Sequence, residues 1–401
     1  MSMLTKLLHK LVRFLMLIFC VFSIKKNRIL FVSQKGRMFA CNPRAIFEYL
    51  YDRYQKELEF VWVLNQPSED FNSFENVIRI SYNSLLHFYY QMTSRVIVSN
   101  IPSPIYLPLR NGQIMFDTWH GGGAYKKVGL SSPAKPSLAR RSTGVWPKTM
   151  EGINNHAWEA YKAIYNQKDT TFFVSSSQRF TEVMLGAQLL PLSAYLEIGM
   201  PRNDVFFSDY SDLKVKAKRR LGISLKKKVV LYAPTYRGNA KDQKSILNID
   251  IELCIESLGK QWGGEWVFVY RGHVWGLHQE VRNDIIINAS QYEEMQELLC
   301  MADAFITDYS SSIWDFALTK KPAFLFTPDL EYYLNRDRGF YTPIDEWPFP
   351  YAQTNDELAA IIESFDGEIH LSKVNSYLER MGSFEQGNAT EVISKFIATY
   401  L

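Results

Sequence analysis

The sequence predicts an α/β protein built from two successive doubly wound parallel sheets. Three observations lead there. Short, continuous apolar runs of strand length alternate with longer stretches of helical pattern. The alternation pauses at a charged, helix-forming stretch near residue 215 and then restarts. Polar and titratable residues stand where several of the apolar runs give way to loops, which is where doubly wound sheets place their ligands. The chain has 401 residues, 47% of them hydrophobic and 14% aromatic, which is enough for two substantial cores.

The elements follow in order. In the first unit RILFVS (residues 28–33), FVWVLN (60–65), NVIRIS (76–81), RVIVSN (95–100), QIMFDTW (113–119) and TTFFVSSS (170–177) read as strands buried on both faces. NPRAIFEYLYDRYQ and YNSLLHFYYQMTS read as helices between them, and another helix starts at Gln178. SDLKVKAKRRLGISLKKK is the charged stretch between the units. The second unit reads VVLYAPTY, EWVFVYRGH, DIIINAS, AFITDYS and PAFLFT.

The first residues carry a different pattern. From Leu4 to Ile24 the chain is rich in Leu, Phe and Ile, but Lys6, His9, Lys10 and Arg13 interrupt its first half. The uninterrupted apolar run, Phe14 to Phe22, is too short to span a bilayer, which takes roughly 20 residues. No small-residue cleavage site follows, and Lys25 opens a basic KKNR. A basic amphipathic helix lying on the cytoplasmic face of the membrane is expected; a helix packed on its own domain is the alternative.

Charge and cysteine usage narrow the function. A formal net charge of +3 gives no electrostatic ground for nucleic-acid binding, and local basic clusters such as Lys126–Lys127 and Lys226–Lys228 read as solvated faces. Cys20, Cys41, Cys254 and Cys300 are far apart, without CxxC spacing, which fits a reducing compartment and argues against a zinc site. His273 and His278 lack the i, i+4 spacing of helical metal ligands, so no tightly bound metal is expected, only a loosely held divalent cation at most.

The strand ends carry the chemistry. FDTWHGGGAYKKVG places His120 against Gly121, Gly122 and Gly123, followed by Lys126 and Lys127. Three consecutive glycines are costly, and are kept where the backbone needs positive φ or where something approaches it closely. Arg271 and His273 follow one strand of the second unit; Thr307, Asp308 and Ser310 to Ser312 follow another. In ITDYSSSIWDFAL a strand ends in hydroxyls and a helix begins, a pattern that suits phosphate oxygens as well as ordinary N-capping by Asp308 or Ser310.

These residues resemble a known family. CNPRAIFEYL, DTWHGGGAYKKVG, GMPRNDVFF, LYAPTYRG, YRGH and MADAFITDYSSSIWDFALTKKPAFLFTPDLEYYLNRDRGFY, in this order and spacing, are similar to the CDP-glycerol glycerophosphotransferases, which prime and polymerise wall teichoic acids and build related capsular polymers. The family's polymerases read Gly-Thr-Pro where this chain has Gly121, Gly122 and Gly123. The resemblance implies a GT-B-like architecture, two Rossmann-like domains facing a cleft: residues 1–26 as the membrane-associating helix, 27–215 as the acceptor domain and 216–401 as the CDP-glycerol-binding domain. It implies a peripheral enzyme that transfers glycerol phosphate from CDP-glycerol to a hydroxyl of a lipid-linked acceptor and releases CMP.

By the same resemblance His120 and His273 match motif histidines, and His120, beside the acceptor, would be the general base. Arg271, His273, Thr307, Asp308, Ser310, Ser311 and Arg338 would serve the donor; Gly121, Gly122, Lys126 and Lys127 would serve the acceptor. CDP-ribitol as donor, a nucleotide-sugar glycosyltransferase on the same architecture, and a non-catalytic scaffold for envelope assembly are the alternatives.

Overall fold

The structure, a computed structural model, describes residues 3–102, 107–123, 126–131, 171–235, 249–272, 285–336 and 339–401. It divides into two compact units. The first comprises Met1–Gly122, Val128–Asp204 and Phe384–Leu401; the second comprises Gly123–Lys127 and Val205–Ser383. Arg338 and His273 lie outside the described residues.

The first unit is organised by a parallel sheet of seven described strands: β1 (Lys25–Val32), β2 (Glu59–Val63), β3 (Ile78–Ile80), β4 (Ser94–Ser99), β5 (Ile114–Asp117), β6 (Thr171–Ser175) and β7 (Tyr195–Glu197). Their order is β3-β2-β1-β4-β5-β6-β7. Both faces are covered, which is why the strands are continuous apolar runs rather than alternating ones. Leu30 and Val32 of β1 join Val61, Val63, Ile97 and Met115 on one face. Phe31, between them, turns to the other, where its ring stacks on Trp62 at 5.4 Å and meets Phe47 edge-on at 5.5 Å. The strand order reverses between β1 and β4, so the loops after these two strands flank the crevice where such sheets bind ligands.

The second unit repeats the plan. β8 (Lys228–Tyr232), β9 (Trp266–Tyr270), β10 (Ile286–Asn288), β11 (Ala304–Thr307), β12 (Ala323–Phe326) and β13 (Tyr351–Ala352) form a parallel sheet in the order β10-β9-β8-β11-β12-β13. Val229, Leu231, Val267, Phe305 and Leu325 fill one face; Val230, Tyr232, Phe268, Ile306 and Phe324 fill the other. Here the reversal falls between β8 and β11.

Two boundaries differ from the sequence reading. The charged helix Ser211–Arg220 belongs wholly to the second unit, because Lys214 meets Asp303 at 2.6 Å and Lys216 meets Glu297 at 2.7 Å; the break falls at Asp204 and Val205 rather than at 215. The helix Ala389–Ala398 returns to the first unit, because Phe396 and Tyr400 pack on Phe116 and Phe172 with centroids 5.0–6.3 Å apart. Asp204 accepts hydrogen bonds from the Ala389 and Thr390 amides, at 3.0 and 2.7 Å, at the start of that helix.

At the other end, the expected helix over 1–26 is shorter. It spans Met3–Met16, continues as one 3-10 turn over Leu17–Val21, and gives way to β1 at Lys25, which pairs with Ser94. Met16 is buried against Met92 and Leu107, and Arg110 clamps the turn by donating to the carbonyls of Phe22 and Cys20 at 2.8 and 3.2 Å. Among the described residues no helix is long and apolar enough to cross a membrane.

Candidate active site

In the first unit the site is built around the end of β5. The apolar strand stops at Asp117, Thr118 keeps one more ladder bond by donating its amide to Ser99 at 2.7 Å, and Trp119 then turns the chain with a φ of +50°. A bulky residue reaches that left-handed region only where its surroundings impose it. Here the Trp119 amide donates to the Asp117 carboxylate at 2.9 Å and the Trp119 ring stacks on His120, with centroids 4.8 Å apart. The positive φ predicted for the glycines thus falls on Trp119, and none of the three glycines has one.

His120 itself is exposed, but its ring is oriented. Nδ1 lies 2.8 Å from the backbone carbonyl of Asn100, the first residue after β4. A carbonyl can only accept, so Nδ1 carries the proton, and in the neutral ring the basic lone pair is on Nε2. Asn100 is fully buried, and its own side chain is tied to Ser33 and to the Gln34 amide after β1. The loops of the strand-order reversal therefore fix the imidazole.

Asp117 is buried and its carboxyl is pushed up to about 7 by loss of hydration, which the hydrogen bond from Trp119 only partly offsets. Burial also raises Tyr195, and the nearby Asp117 adds to that shift.

Gly121 is buried, and a Cβ on Gly122 would come within 3.3 Å of Ser176 and 3.4 Å of Met200. Close packing within the unit is what keeps a side chain off Gly122, whose carbonyl also accepts from the Ser176 hydroxyl. Gly123 passes to the second unit, where an added Cβ would overlap the indole of Trp314. Gly123→Ala is expected to destabilise the second unit by about 1–3 kcal/mol, because Trp314 is wedged against Tyr377, Phe349 and Trp347 and cannot retreat. A thermal melt that matches the wild type would show that the indole moves freely.

Lys126 and Lys127, expected on the acceptor side, belong instead to the second unit. Lys126 bridges Phe340 in antiparallel fashion and places its ammonium 5.7 Å from the centre of the Tyr333 ring. The Lys127 amide donates to Gly339 at 3.0 Å.

The second cluster stands at the reversal between β8 and β11. Asp308 accepts from the amides of Thr235, at 2.8 Å, and of Tyr309, so its carboxylate ties the loop after β8 to the turn after β11. Thr307 is buried and donates its only hydroxyl proton to Ala233 at 2.7 Å, doing the same. At the start of the helix Ser312–Ala317 the N-cap residue Ser311 makes no side-chain capping bond, but the Ser310 hydroxyl accepts the Ser312 amide at 3.4 Å. Ser310 and Ser312 share a hydroxyl–hydroxyl contact at 2.8 Å. Arg271, at the end of β9, sends its guanidinium to the carbonyls of Tyr292 and Glu293, at 3.1 and 3.2 Å, and braces the loop after β10. Among the described residues no three His, Cys, Asp or Glu side chains gather as a metal ion would require.

Proteins of known activity resemble the chain over nearly its whole length. A teichoic acid poly(glycerol phosphate) polymerase of Bacillus spizizenii is 28% identical over 394 residues, covering 96% of this chain and 95% of that protein. A teichoic acid glycerol-phosphate transferase of Staphylococcus aureus is 26% identical, with 93% of each chain covered. Among solved structures, a variant of the wall teichoic acid polymerase TagF soaked with CDPG superposes with a TM-score of 0.78 at 25% identity, over 97% of this chain and 92% of that one. The family described as CDP-Glycerol:Poly(glycerophosphate) glycerophosphotransferase matches residues 13–399. That match spans nearly the whole chain, through both parallel sheets, and the chain belongs to that family of transferases.

Proposed function

We propose that the protein transfers glycerol phosphate from CDP-glycerol to a hydroxyl of a lipid-linked acceptor in teichoic acid or capsular polymer synthesis. The observation that carries the reading is the bond from His120 Nδ1 to the Asn100 carbonyl, which leaves Nε2 as the basic atom. The acceptor oxygen attacks the glycerol-bearing phosphorus in line, its proton passes to Nε2, and the bond to the CMP oxygen breaks. Positioning and charge stabilisation supply most of the rate in such a transfer.

On the donor side the hydroxyls of Ser310 and Ser311 meet phosphate oxygens, while Asp308, Thr307 and Arg271 hold the surrounding loops. A carboxylate facing a phosphate would repel it; Asp308 instead turns Oδ1 to two amides and keeps its other oxygen buried. His273 and Arg338 contact the donor phosphates in this reading, by resemblance. The test is incubation with CDP-glycerol, CDP-ribitol and a lipid-linked disaccharide, with products weighed by mass spectrometry. CMP release and glycerol phosphate addition are expected. Transfer from CDP-ribitol alone, or no CMP release at all, overturns the reading.

The protein acts at the cytoplasmic face of the membrane as a peripheral enzyme. The helix Met3–Met16 and its following turn bury Met16 against the first unit but expose Leu7, Leu11, Phe14, Ile18 and Val21. Leu85 and Leu86 are exposed as well, at the start of the helix whose Tyr89 meets Phe19 and Phe22. This is the apolar face of an interfacial helix, with Lys10 also exposed. Because removing the segment would uncover Met92 and Leu107, point changes test it better than truncation. Phe14→Glu with Ile18→Glu should lower co-sedimentation with phosphatidylglycerol vesicles by about tenfold or more, since each inserted side chain contributes ~1–2 kcal/mol. Full pelleting of the double variant would assign attachment to another surface.

A further inference from the structure

The turn that carries His120 is held by a residue to which no role in the reaction has yet been given. Asn42 lies in the first turn of the helix Cys41–Tyr54 and is fully buried. Its carboxamide nitrogen donates to the carbonyl of Thr118 at 2.8 Å and to that of Trp119 at 3.2 Å, the two residues before His120. Its oxygen accepts the Arg202 amide at 3.1 Å. One side chain thus joins the start of a helix, the segment after β7 and the strained turn after β5. The two carbonyls can only accept, so what is needed at position 42 is a short side chain with two N–H donors on one atom and an acceptor beside it. Asparagine supplies that; aspartate, of the same size, would set a charged acceptor against two carbonyl oxygens.

We propose that Asn42 is a positioning residue for the transfer. By fixing the carbonyls of the two peptides that flank the Cα of Trp119 it holds Trp119 at a φ of +50° and so sets where Nε2 of His120 stands relative to the acceptor hydroxyl. The inference rests on His120 as the base. A displacement of that nitrogen by about 1 Å costs on the order of a hundredfold in rate.

The test is a double-mutant cycle in the full chain. His120→Ala, Asn42→Asp and their combination are assayed for kcat and donor KM, each at a temperature where its own melting curve shows it folded. Asn42→Ser stands in if Asn42→Asp does not fold. Asn42→Asp is expected to lower kcat by about a hundredfold with the KM for CDP-glycerol within about twofold. In the His120→Ala background the same change should cost no more than about twofold, because the group it positions is gone. A purely structural asparagine would instead lower activity by the same factor in both backgrounds, and that result overturns the proposal. So does a kcat for the Asn42 variants close to that of the wild type. Wild-type turnover in His120→Ala overturns the assignment of the base itself, and the inference with it; that outcome is read from the single variant without any change at position 42.

Discussion

His120→Ala should lower turnover by about a hundredfold to ten-thousandfold while CDP-glycerol still binds. The size follows from what the imidazole does. An alcohol attacking phosphorus becomes strongly acidic only as the new bond forms, so a base already aimed at it is worth most in the transition state and little in the ground state. The Asn100 carbonyl locks the tautomer, which removes the cost of choosing it during the reaction. In the proposed reading the donor is held by the turn after β11 and not by His120, so its affinity should survive. In the wild type kcat/KM should fall on the acidic side as Nε2 is protonated, and His120→Ala should lose that limb. An acidic limb unchanged in the variant would remove His120 from the base role.

The second large effect is on stability, and it comes from Asp117. The buried carboxyl keeps its proton up to about pH 7, whereas in the unfolded chain it releases it at the ordinary value of 3.8. Between those two points the folded state binds more protons than the unfolded one, so stability falls as pH rises, by ~1.4 kcal/mol per unit and by about 4 kcal/mol in all. This is the reverse of a salt-bridged carboxylate. Asp117→Asn keeps an oxygen to accept the Trp119 amide and removes the charge. Its melting temperature should exceed that of the wild type at pH 8 by roughly 5 to 10 °C and should vary less between pH 5 and 7.5. Parallel melting curves for the two proteins would show that Asp117 ionises freely in the fold. The same variant serves as a control for the histidine: Asp117→Asn should keep the acidic limb of activity, and only His120→Ala should abolish it.

Much of this was readable from the chain. Strands such as QIMFDTW and AFITDYS announce themselves because both faces of a covered parallel sheet must be apolar, and their ends mark the loops that carry His120 and the serines. The two-residue strand Tyr351–Ala352 carries too little pattern to be seen. Of the two reasons the glycines offered, close approach is the one the structure supplies, through Ser176 at Gly122 and Trp314 at Gly123, while the positive φ lies on Trp119. Lys126 and Lys127 were misplaced because their partners, Gly339 and Phe340, lie more than 200 residues away and antiparallel pairing of single residues leaves no periodic trace. Asn42 reads in sequence as a polar residue before a proline near a helix start. Its hydrogen bonds to Thr118 and Trp119 span 76 and 77 positions, and only the fold brings them together. Asp117 left a faint signal, a lone charge closing the apolar run IMFD.

The return of residues 384–401 to the first unit has a consequence for how the protein is made. The rings of Phe396 and Tyr400 cover Phe116 and Phe172 of the central strands, and Glu385 accepts from the Met200 amide and the Asn203 side chain at 3.2 and 3.1 Å. A growing chain usually folds its leading domain first, as it leaves the ribosome. Here the leading unit lacks part of its own wall until translation has passed through all of residues 205–383, a stretch that forms the bulk of the second unit. The unit begun second can therefore be finished first, while the nascent first unit waits with Phe116 and Phe172 uncovered. A ribosome that stops at residue 383 leaves behind a protein that has every residue of the second unit and a first unit still open to chaperones and proteases.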